Sequence, residues 1–138
     1  MNGPDFLDTN VVVYAFDTGN QNKQRISREL LKNAIAGKAV ISTQVLAEFA
    51  SALLHKISPP ANADAVMRGL DALAPIRTIT PDRELIRRAV EAHASYGIHF
   101  YDGMIVAAAE RAGCHQIWSE DLNTGQKYFG VTVMNPFP

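Results

Sequence analysis

Short apolar segments alternate along this chain with longer segments of helical periodicity, and this alternation restricts the possible folds more than any other feature. Strands that alternate with helices pair in parallel, and the helices cover both faces of the sheet. The sequence therefore predicts an α/β protein with three α/β/α layers around a central, mainly parallel sheet of about five strands. The predicted strands are Phe6–Leu7, Ala39–Ile41, Pro75–Ile79, Gln116–Ser119 and Gly130–Met134.

Helical periodicity fills the segments between these strands. Gly37, Gly97 and Gly113 are placed as helix stops, and Ser58-Pro59-Pro60 breaks the helix that precedes it. The predicted helices are Val11–Phe16, Asn22–Ala36, a helix capped by Ser42 or Thr43, Asn62 or Ala63 to Leu73, a helix from the Thr80-Pro81 cap to Ser95 or Tyr96, and Tyr101 or Asp102 to Ala112.

Length and composition indicate one globular domain over residues 1–138, since 47% of the residues are hydrophobic and 20% are charged. The lone Cys114 cannot form an internal disulfide, which favours a reducing compartment. No apolar run approaches the roughly 20 residues that cross a bilayer, and the first residues lack the pattern of a signal peptide. We therefore expect a cytoplasmic protein without a membrane partner.

The formal net charge of −1 argues against a protein that holds nucleic acid along a broad basic face. A local basic rim is still compatible with it. Basic residues gather in two segments, residues 23–38 and 83–88, and the simplest interpretation of both is a solvated helix face.

Four acidic residues lie where a parallel sheet would present its carboxyl edge. Asp8 follows the first strand, Asp121 follows the fourth, and Asp102 opens a helix. Glu48 lies one turn into the helix after the second strand, at the margin of its apolar stripe. If the fold brings them together, they form a negative pocket that requires hard cations or protons for stability.

Each acid also has a simpler explanation when it is taken alone. Asp8 and Asp102 are placed to cap helices, Asp121 to form a turn, and Glu48 to lie at the boundary of a buried face. Caps and turns, however, would not require a fourth carboxylate from the body of a helix. The combination indicates Mg²⁺ or Mn²⁺ and phosphoryl chemistry. The four histidines show no zinc-ligand spacing: His55, His93, His99 and His115.

The order of these motifs resembles the PIN-domain ribonucleases, and among them the VapC-type toxins of bacterial toxin–antitoxin pairs. The resemblance covers nearly the whole chain. It rests on Phe6-Leu7-Asp8-Thr9-Asn10-Val11, an acidic residue in the third helix, Tyr101-Asp102-Gly103-Met104-Ile105 and Ser119-Glu120-Asp121-Leu122.

The resemblance implies a role for each matching residue. The quartet Asp8, Glu48, Asp102 and Asp121 would be catalytic and hold the divalent metal. Asn10 would orient a carboxylate or a metal-bound water, and Ser119 would donate a hydrogen bond to the groups that hold the metal. Glu120 stays an alternative to its neighbour Asp121. Gly103 departs from the small alanine common at that point. Three aromatic residues are candidates for stacking on bases, with core packing as the alternative: Tyr14, Phe16 and Tyr101.

The implied activity is a Mg²⁺- or Mn²⁺-dependent endoribonuclease that hydrolyses RNA by attack of water and leaves 5′-phosphate and 3′-hydroxyl ends. The implied partners are a second copy in a homodimer and a small antitoxin. The helices over Asn22–Ala36 and Ser42–Lys56 are the candidate docking surfaces, and an antitoxin arginine would suit the acidic pocket.

Other classes fit the sequence less well. A phospho-receiver domain would require paired acids after the first strand and a lysine after the last, and a haloacid-dehalogenase-type phosphatase would require a second aspartate where Asn10 stands. A PIN nuclease of RNA processing without an antitoxin, and a catalytically idle PIN binding module, stay open.

Overall fold

The computed structural model describes residues 3–138, which contain a six-stranded sheet. Its strands are β1 (Asp5–Leu7), β2 (Ala39–Ser42), β3 (Arg77–Ile79), β4 (Gln116–Trp118), β5 (Lys127–Tyr128) and β6 (Val131–Met134). They lie in the order β3-β2-β1-β4-β6-β5, and all neighbours pair in parallel except β5 and β6. The predicted mainly parallel α/β fold is confirmed.

Six helices connect the strands: α1 (Thr9–Tyr14), α2 (Gln21–Ile35), α3 (Thr43–His55), α4 (Ala63–Leu73), α5 (Arg83–Tyr96) and α6 (Phe100–Arg111). The first four lie on connections that move from β1 through β2 to β3, and the last two return the chain to β4. Right-handed crossovers in opposite directions place their helices on opposite faces of a sheet. The arrangement therefore has the three expected layers.

The sequence pattern did not predict β5. This strand has only two residues, Lys127 and Tyr128, and it forms an antiparallel hairpin with β6. Phe129 and Gly130, with φ angles of 49° and 82°, form the turn between the two strands. Two residues are too few to show an alternation of apolar and polar side chains, which is why the pattern missed this strand. The sheet therefore has six strands and not the predicted number of about five.

Helix caps correct three predicted helix starts. Helix α5 begins at Arg83, because the carboxylate of Asp82 accepts the amide of Leu85, and the predicted Thr80-Pro81 cap is wrong. Helix α6 begins at Phe100 because the His99 ring accepts the amide of Tyr101. The predicted starts for α6 were therefore one or two residues late. Helix α1 also begins earlier, at Thr9, with Asp8 as its N-cap.

Helix α6 is the most deeply buried helix, with its alanines packed between α5 and the sheet. Gly103 is required for this packing, because a Cβ atom there would lie 2.6 Å from the carbonyl oxygen of Ala89 in α5. Although α6 is apolar, none of the helices in residues 3–138 combines the length and apolarity that a bilayer span requires. The close α5–α6 contact holds the N-terminus of α6, and with it Asp102, against the sheet.

Candidate active site

The carboxyl ends of β1 and β4 form the point where the strand order reverses. From β1 the chain first moves to β2 and β3, and it later returns to the other side of β1 as β4. Ligands of open α/β sheets bind in the crevice at such a switch point. A cavity of about 430 Å³ opens beside these residues, and it is lined by all four predicted acids, Asp8, Glu48, Asp102 and Asp121.

Asp8 is the most buried member of the quartet, with 4% of its surface exposed. Its carboxylate accepts the amide of Thr9 at 2.7 Å and the hydroxyl of Ser119 at 2.7 Å. Burial raises the pKa of Asp8 to about 6, and the charges of Asp121 and Asp102 raise it as well. Asp8 therefore both caps α1 and contributes a carboxylate to the cavity.

Glu48 projects from α3 into the same cavity. The hydroxyl of Thr9 donates to one carboxylate oxygen at 2.6 Å, and the amide of Gln44 donates to the other at 3.3 Å. The Gln44 amide also donates to the carbonyl oxygen of Tyr101 at 3.0 Å. These bonds connect α1, α3 and the start of α6 around the cavity, so Glu48 is held by the site and is not a free residue of a helix surface.

Asp102 lies in the first turn of α6, but the cap of that helix is His99. The carboxylate of Asp102 is therefore not required for capping α6. Burial raises the pKa of Asp102, the charges of Asp121 and Glu48 raise it further, and His99 opposes them. The charges of Asp121 and Glu48 therefore lie within electrostatic reach of the Asp102 carboxyl.

The adjacent acids Glu120 and Asp121 have different surroundings. The Glu120 carboxylate forms an ion pair with Lys23 of α2 and accepts the hydroxyl of Tyr14 at 2.7 Å. Although partial burial opposes it, these two partners lower the pKa of Glu120. Asp121 lines the cavity and belongs to no ion pair within residues 3–138. Glu120 is thus bound to Lys23 and Tyr14, and of the two adjacent acids only Asp121 is among the described residues that line the cavity.

Ser119 connects the two sides of the switch point. It is fully buried, donates its hydroxyl to Asp8, and accepts the amides of Asp121 at 3.1 Å and Leu122 at 3.4 Å. Asn10 lines the cavity and its side-chain oxygen accepts the amide of Glu120 at 3.3 Å. Ser119 therefore donates to the Asp8 carboxylate, whereas Asn10 holds the backbone of the Ser119–Asp121 turn.

The sequence of the chain matches a known protein family. The model of the PIN domain matches residues 6–129. The chain belongs to the PIN-domain family. No curated protein matches the sequence in a direct comparison.

Solved structures with the same PIN fold come from toxin–antitoxin systems. A toxin–antitoxin complex from Klebsiella pneumoniae aligns with a TM-score of 0.71 at 18% identity, over 96% of this chain and 98% of that one. DNA-bound VapBC from Salmonella typhimurium gives a TM-score of 0.70 at 17% identity, over 97% and 98%. VapC20 of Mycobacterium tuberculosis, a toxin that cleaves the sarcin–ricin loop, gives 0.66 at 17% identity, over 85% and 89%.

Sequence reasoning assigned no role to several residues around this PIN site. Gln44 precedes Glu48 by four residues, a helical spacing that places the two side chains together and was a usable signal. Thr9 follows Asp8 directly, yet it binds Glu48 through a tertiary contact that sequence order does not show. Sequence order also does not show the contact of Lys23 with Glu120, because the two residues are 97 positions apart.

The donor set of the cavity fits a hard divalent cation. It offers five carboxylates, those of the quartet and of Asp17, and no thiol. Two of them, Asp8 and Asp102, have raised pKa values that a bound cation would lower. Within residues 3–138, no three acidic, histidine or cysteine side chains already converge as a ready-made ion cluster. Mg²⁺ does not require such a cluster, because it usually binds one or two carboxylates and keeps several waters.

Two buried amide atoms strengthen this fit. The Nδ2 atom of Asn10 and the Oε1 atom of Gln44 have no hydrogen-bond partner within residues 3–138, and both residues line the cavity. A buried polar atom without a partner costs about 1–3 kcal/mol. A donor and an acceptor beside the acids suit the hydrated shell of a cation or the oxygens of a phosphate.

Proposed function

We propose that this PIN-domain protein is a divalent-metal-dependent endoribonuclease. The observation that carries the proposal is that Asp8, Glu48, Asp102 and Asp121 line one cavity. None of the four has an ion-pair partner within residues 3–138. Uncompensated carboxylates at a switch point are typical of a site that binds cations together with an anionic substrate.

The four acids would hold Mg²⁺ or Mn²⁺, which when bound withdraws charge from phosphoryl oxygens and activates water. Ser119 and the Thr9 amide fix the two oxygens of Asp8, and the Thr9 hydroxyl and Gln44 fix those of Glu48. Such contacts preorganise the acids before substrate binds. The free amide hydrogens of Asn10 would donate to a phosphate oxygen or to the attacking water.

Hydrolysis by water would leave 5′-phosphate and 3′-hydroxyl ends on the products. Cleavage through the ribose 2′-hydroxyl would instead require a pair of acid–base groups, commonly histidines. No histidine lines the cavity in the part of the chain that the structure describes. The product ends therefore distinguish the two routes, and a 2′,3′-cyclic phosphate would contradict the proposal.

We further propose that the protein is the toxin of a type II toxin–antitoxin pair, acting as a homodimer. Support comes from its structural neighbours, several of which were solved as toxin–antitoxin complexes. A small antitoxin gene beside this one, whose product co-purifies with the chain and suppresses cleavage, is the expected result. A PIN nuclease of RNA processing would have no such partner.

The direct test is incubation of purified protein with a pool of tRNA and rRNA in Mg²⁺, Mn²⁺ or chelator, together with the Asp102→Asn variant. We expect cleavage that depends on metal and falls by at least about 100-fold in the variant, because a carboxylate of the charge-stabilising site is lost. Asp71→Asn, an exposed acid of α4, is the matched control and should cleave normally. RNA that stays intact under all conditions would favour an idle binding module.

A further inference from the structure

The acidic cavity has one basic residue in its lining. Among the described residues that line it, only Lys56 is a lysine or arginine. Lys56 is exposed, follows the end of α3, and forms no ion pair within residues 3–138. A flexible ammonium group beside a pocket of carboxylates is well placed to bind a phosphate that flanks the pocket.

The structure also separates the three aromatic candidates for base stacking. Phe16 packs edge-on against Phe49 with ring centroids 5.0 Å apart, and Tyr14 is held by Glu120 and Phe137. Tyr101 differs, since 55% of its surface is exposed. One aromatic side chain therefore stays available at the rim.

The exposed ring of Tyr101 is already ordered. It stacks on His99 with centroids 5.7 Å apart and planes inclined by 24°. A preformed stack loses less conformational entropy when a base joins it than a mobile side chain would. Tyr101 therefore has both the exposure and the order that a stacking platform requires.

Helix α3 relates the two positions to the acids. Near its start, Gln44 binds the backbone carbonyl of Tyr101, and directly after its end stands Lys56. The twelve residues from 44 to 56 span about 18 Å of helix. Glu48, which lines the cavity, lies in α3 between these two positions. The backbone of Tyr101 and the residue Lys56 are therefore near opposite ends of the helix that carries Glu48.

We propose that a single-stranded RNA segment lies along α3 across the acidic cavity, with Lys56 binding a flanking phosphate at one end and Tyr101 stacking a base at the other. This inference rests on the proposed function, because it places the substrate of the same site. Single strands are favoured over duplexes because stacking on Tyr101 requires an unpaired base.

The test is fluorescence anisotropy with a fluorescein-labelled oligouridine, measured in the Asp102→Asn background so that the strand is not cut. Lys56→Ala should weaken binding by up to about fivefold at low salt and reduce the slope of log Kd against log salt by about 0.7, the contribution of one phosphate contact. Lys38→Ala, which removes an equal charge at the amino end of β2, should change neither quantity.

Tyr101→Ala should weaken binding by about tenfold with an unchanged salt slope, because stacking releases no counterions. Tyr101→Phe should restore the affinity, since the ring is retained. A duplex of the same length should bind more weakly than the single strand and be insensitive to Tyr101→Ala. Unchanged thermal unfolding of each variant shows that the fold is intact.

Equal salt slopes for Lys56→Ala and Lys38→Ala, full affinity of Tyr101→Ala, or no binding of oligouridine at low salt would each overturn the proposal. Its failure is distinguishable from failure of the proposed function, which is read from cleavage by the wild-type protein. Cleavage with no effect of these variants contradicts only the strand path. Binding effects as predicted, in a protein that cuts no RNA, contradict only the nuclease assignment.

Discussion

The acids of the α5–α6 contact and the acids of the cavity are treated differently by the fold. At the helix contact, Arg88 binds Glu110 through two bonds of 2.8 and 2.9 Å and Glu91 at 2.7 Å, and Arg111 binds Asp82 at 2.8 Å. The Arg88 guanidinium also lies 3.5 Å from the centre of the Phe129 ring. Each carboxylate there has a cation within the chain.

The four acids of the cavity have no such partner within residues 3–138. The cavity around them is lined by hydroxyls, amides, other carboxylates and Lys56, which forms no ion pair with them within residues 3–138. Burial and repulsion raise the pKa values of Asp8 and Asp102. Arginines neutralise the acids at the α5–α6 contact, whereas no lysine or arginine within residues 3–138 forms an ion pair with the four acids of the cavity. With five carboxylates and only Lys56 as a basic residue in the described lining, most of the negative charge at the cavity is not balanced within residues 3–138.

The largest effect is expected from removing one of these uncompensated charges. Since the pKa of Asp8 is about 6 in the fold and 3.8 in a model peptide, its ionisation destabilises the folded protein above pH 6. The penalty disappears as the pH falls from about 6 toward 3.8. In chelator at pH 7, Asp8→Asn should therefore stabilise the protein by about 2–3 kcal/mol in urea unfolding.

The pH dependence supplies the control for this prediction. The advantage of Asp8→Asn should vanish below about pH 3, where the wild-type carboxyl is protonated in both states. Asp71→Asn changes an exposed acid and should be neutral throughout. A variant no more stable than the wild type at pH 7 would show that the cavity does not penalise the charge.

At the α5–α6 contact, the substitution expected to reduce stability most is at Gly103. Gly103→Ala places a methyl group against the Ala89 carbonyl, and separating α5 from α6 should cost about 2 kcal/mol despite the better helix propensity of alanine. Thermal unfolding measures the loss. Gly69→Ala is the matched comparison, because its methyl would meet a side chain, the ring of Phe49 at 3.1 Å, and not a backbone carbonyl. Equal losses in both variants would contradict a backbone clash at Gly103.

Breaking the ion pairs of the α5–α6 contact should have a smaller effect. Arg88→Met removes the paired bonds to Glu110 and the contact with Phe129, which together should contribute about 1 kcal/mol because the side chain is partly exposed. The loss should shrink in high salt. The exposed neighbour Arg87→Met should lose almost nothing, and an equal loss there would mean that the pairing contributes little.

The smallest effect on stability is expected at the ion pair between Lys23 and Glu120, which lies beside Asp121, an acid unpaired within residues 3–138. Lys23→Met turns Glu120 from a paired acid into an unpaired one, at a cost of a few tenths of a kcal/mol to about 1 kcal/mol. Because the pKa of Glu120 is lowered in the fold, its contribution is present at neutral pH and lost in acid. Urea unfolding at two pH values should therefore show the difference at pH 7 only, and a loss retained at low pH would point to packing.

Periodicity and helix stops predicted most of the fold. The parallel strands and the glycine stop at Gly97, with φ of 68°, follow from local sequence. The β5 strand and the start of α6 do not, because a two-residue strand has no pattern and a histidine cap is uncommon. The start of α5 lay between two common N-cap residues, Thr80 and Asp82, and only the structure selects Asp82. Gly103 looked like a mild departure from alanine, whereas its role lies in the tertiary contact with α5.

The candidate site was predictable only in part. The position of each acid after a strand or within a following helix indicated one edge of the sheet, where the cavity lies. The choice between Glu120 and Asp121 could not be made locally, because it depends on Lys23 and Tyr14 from distant segments. The hydrogen bonds from Thr9 and Gln44 to Glu48 likewise required the packed structure.

The most direct test of the claim that the acidic cavity binds a divalent cation is to measure Mn²⁺ binding to the purified protein by electron paramagnetic resonance. The wild type should bind Mn²⁺, Asp121→Asn should weaken binding at least about tenfold, and Glu120→Gln should bind as the wild type does, because that carboxylate belongs to Lys23. Absence of binding, or a loss in Glu120→Gln as large as in Asp121→Asn, would contradict the account.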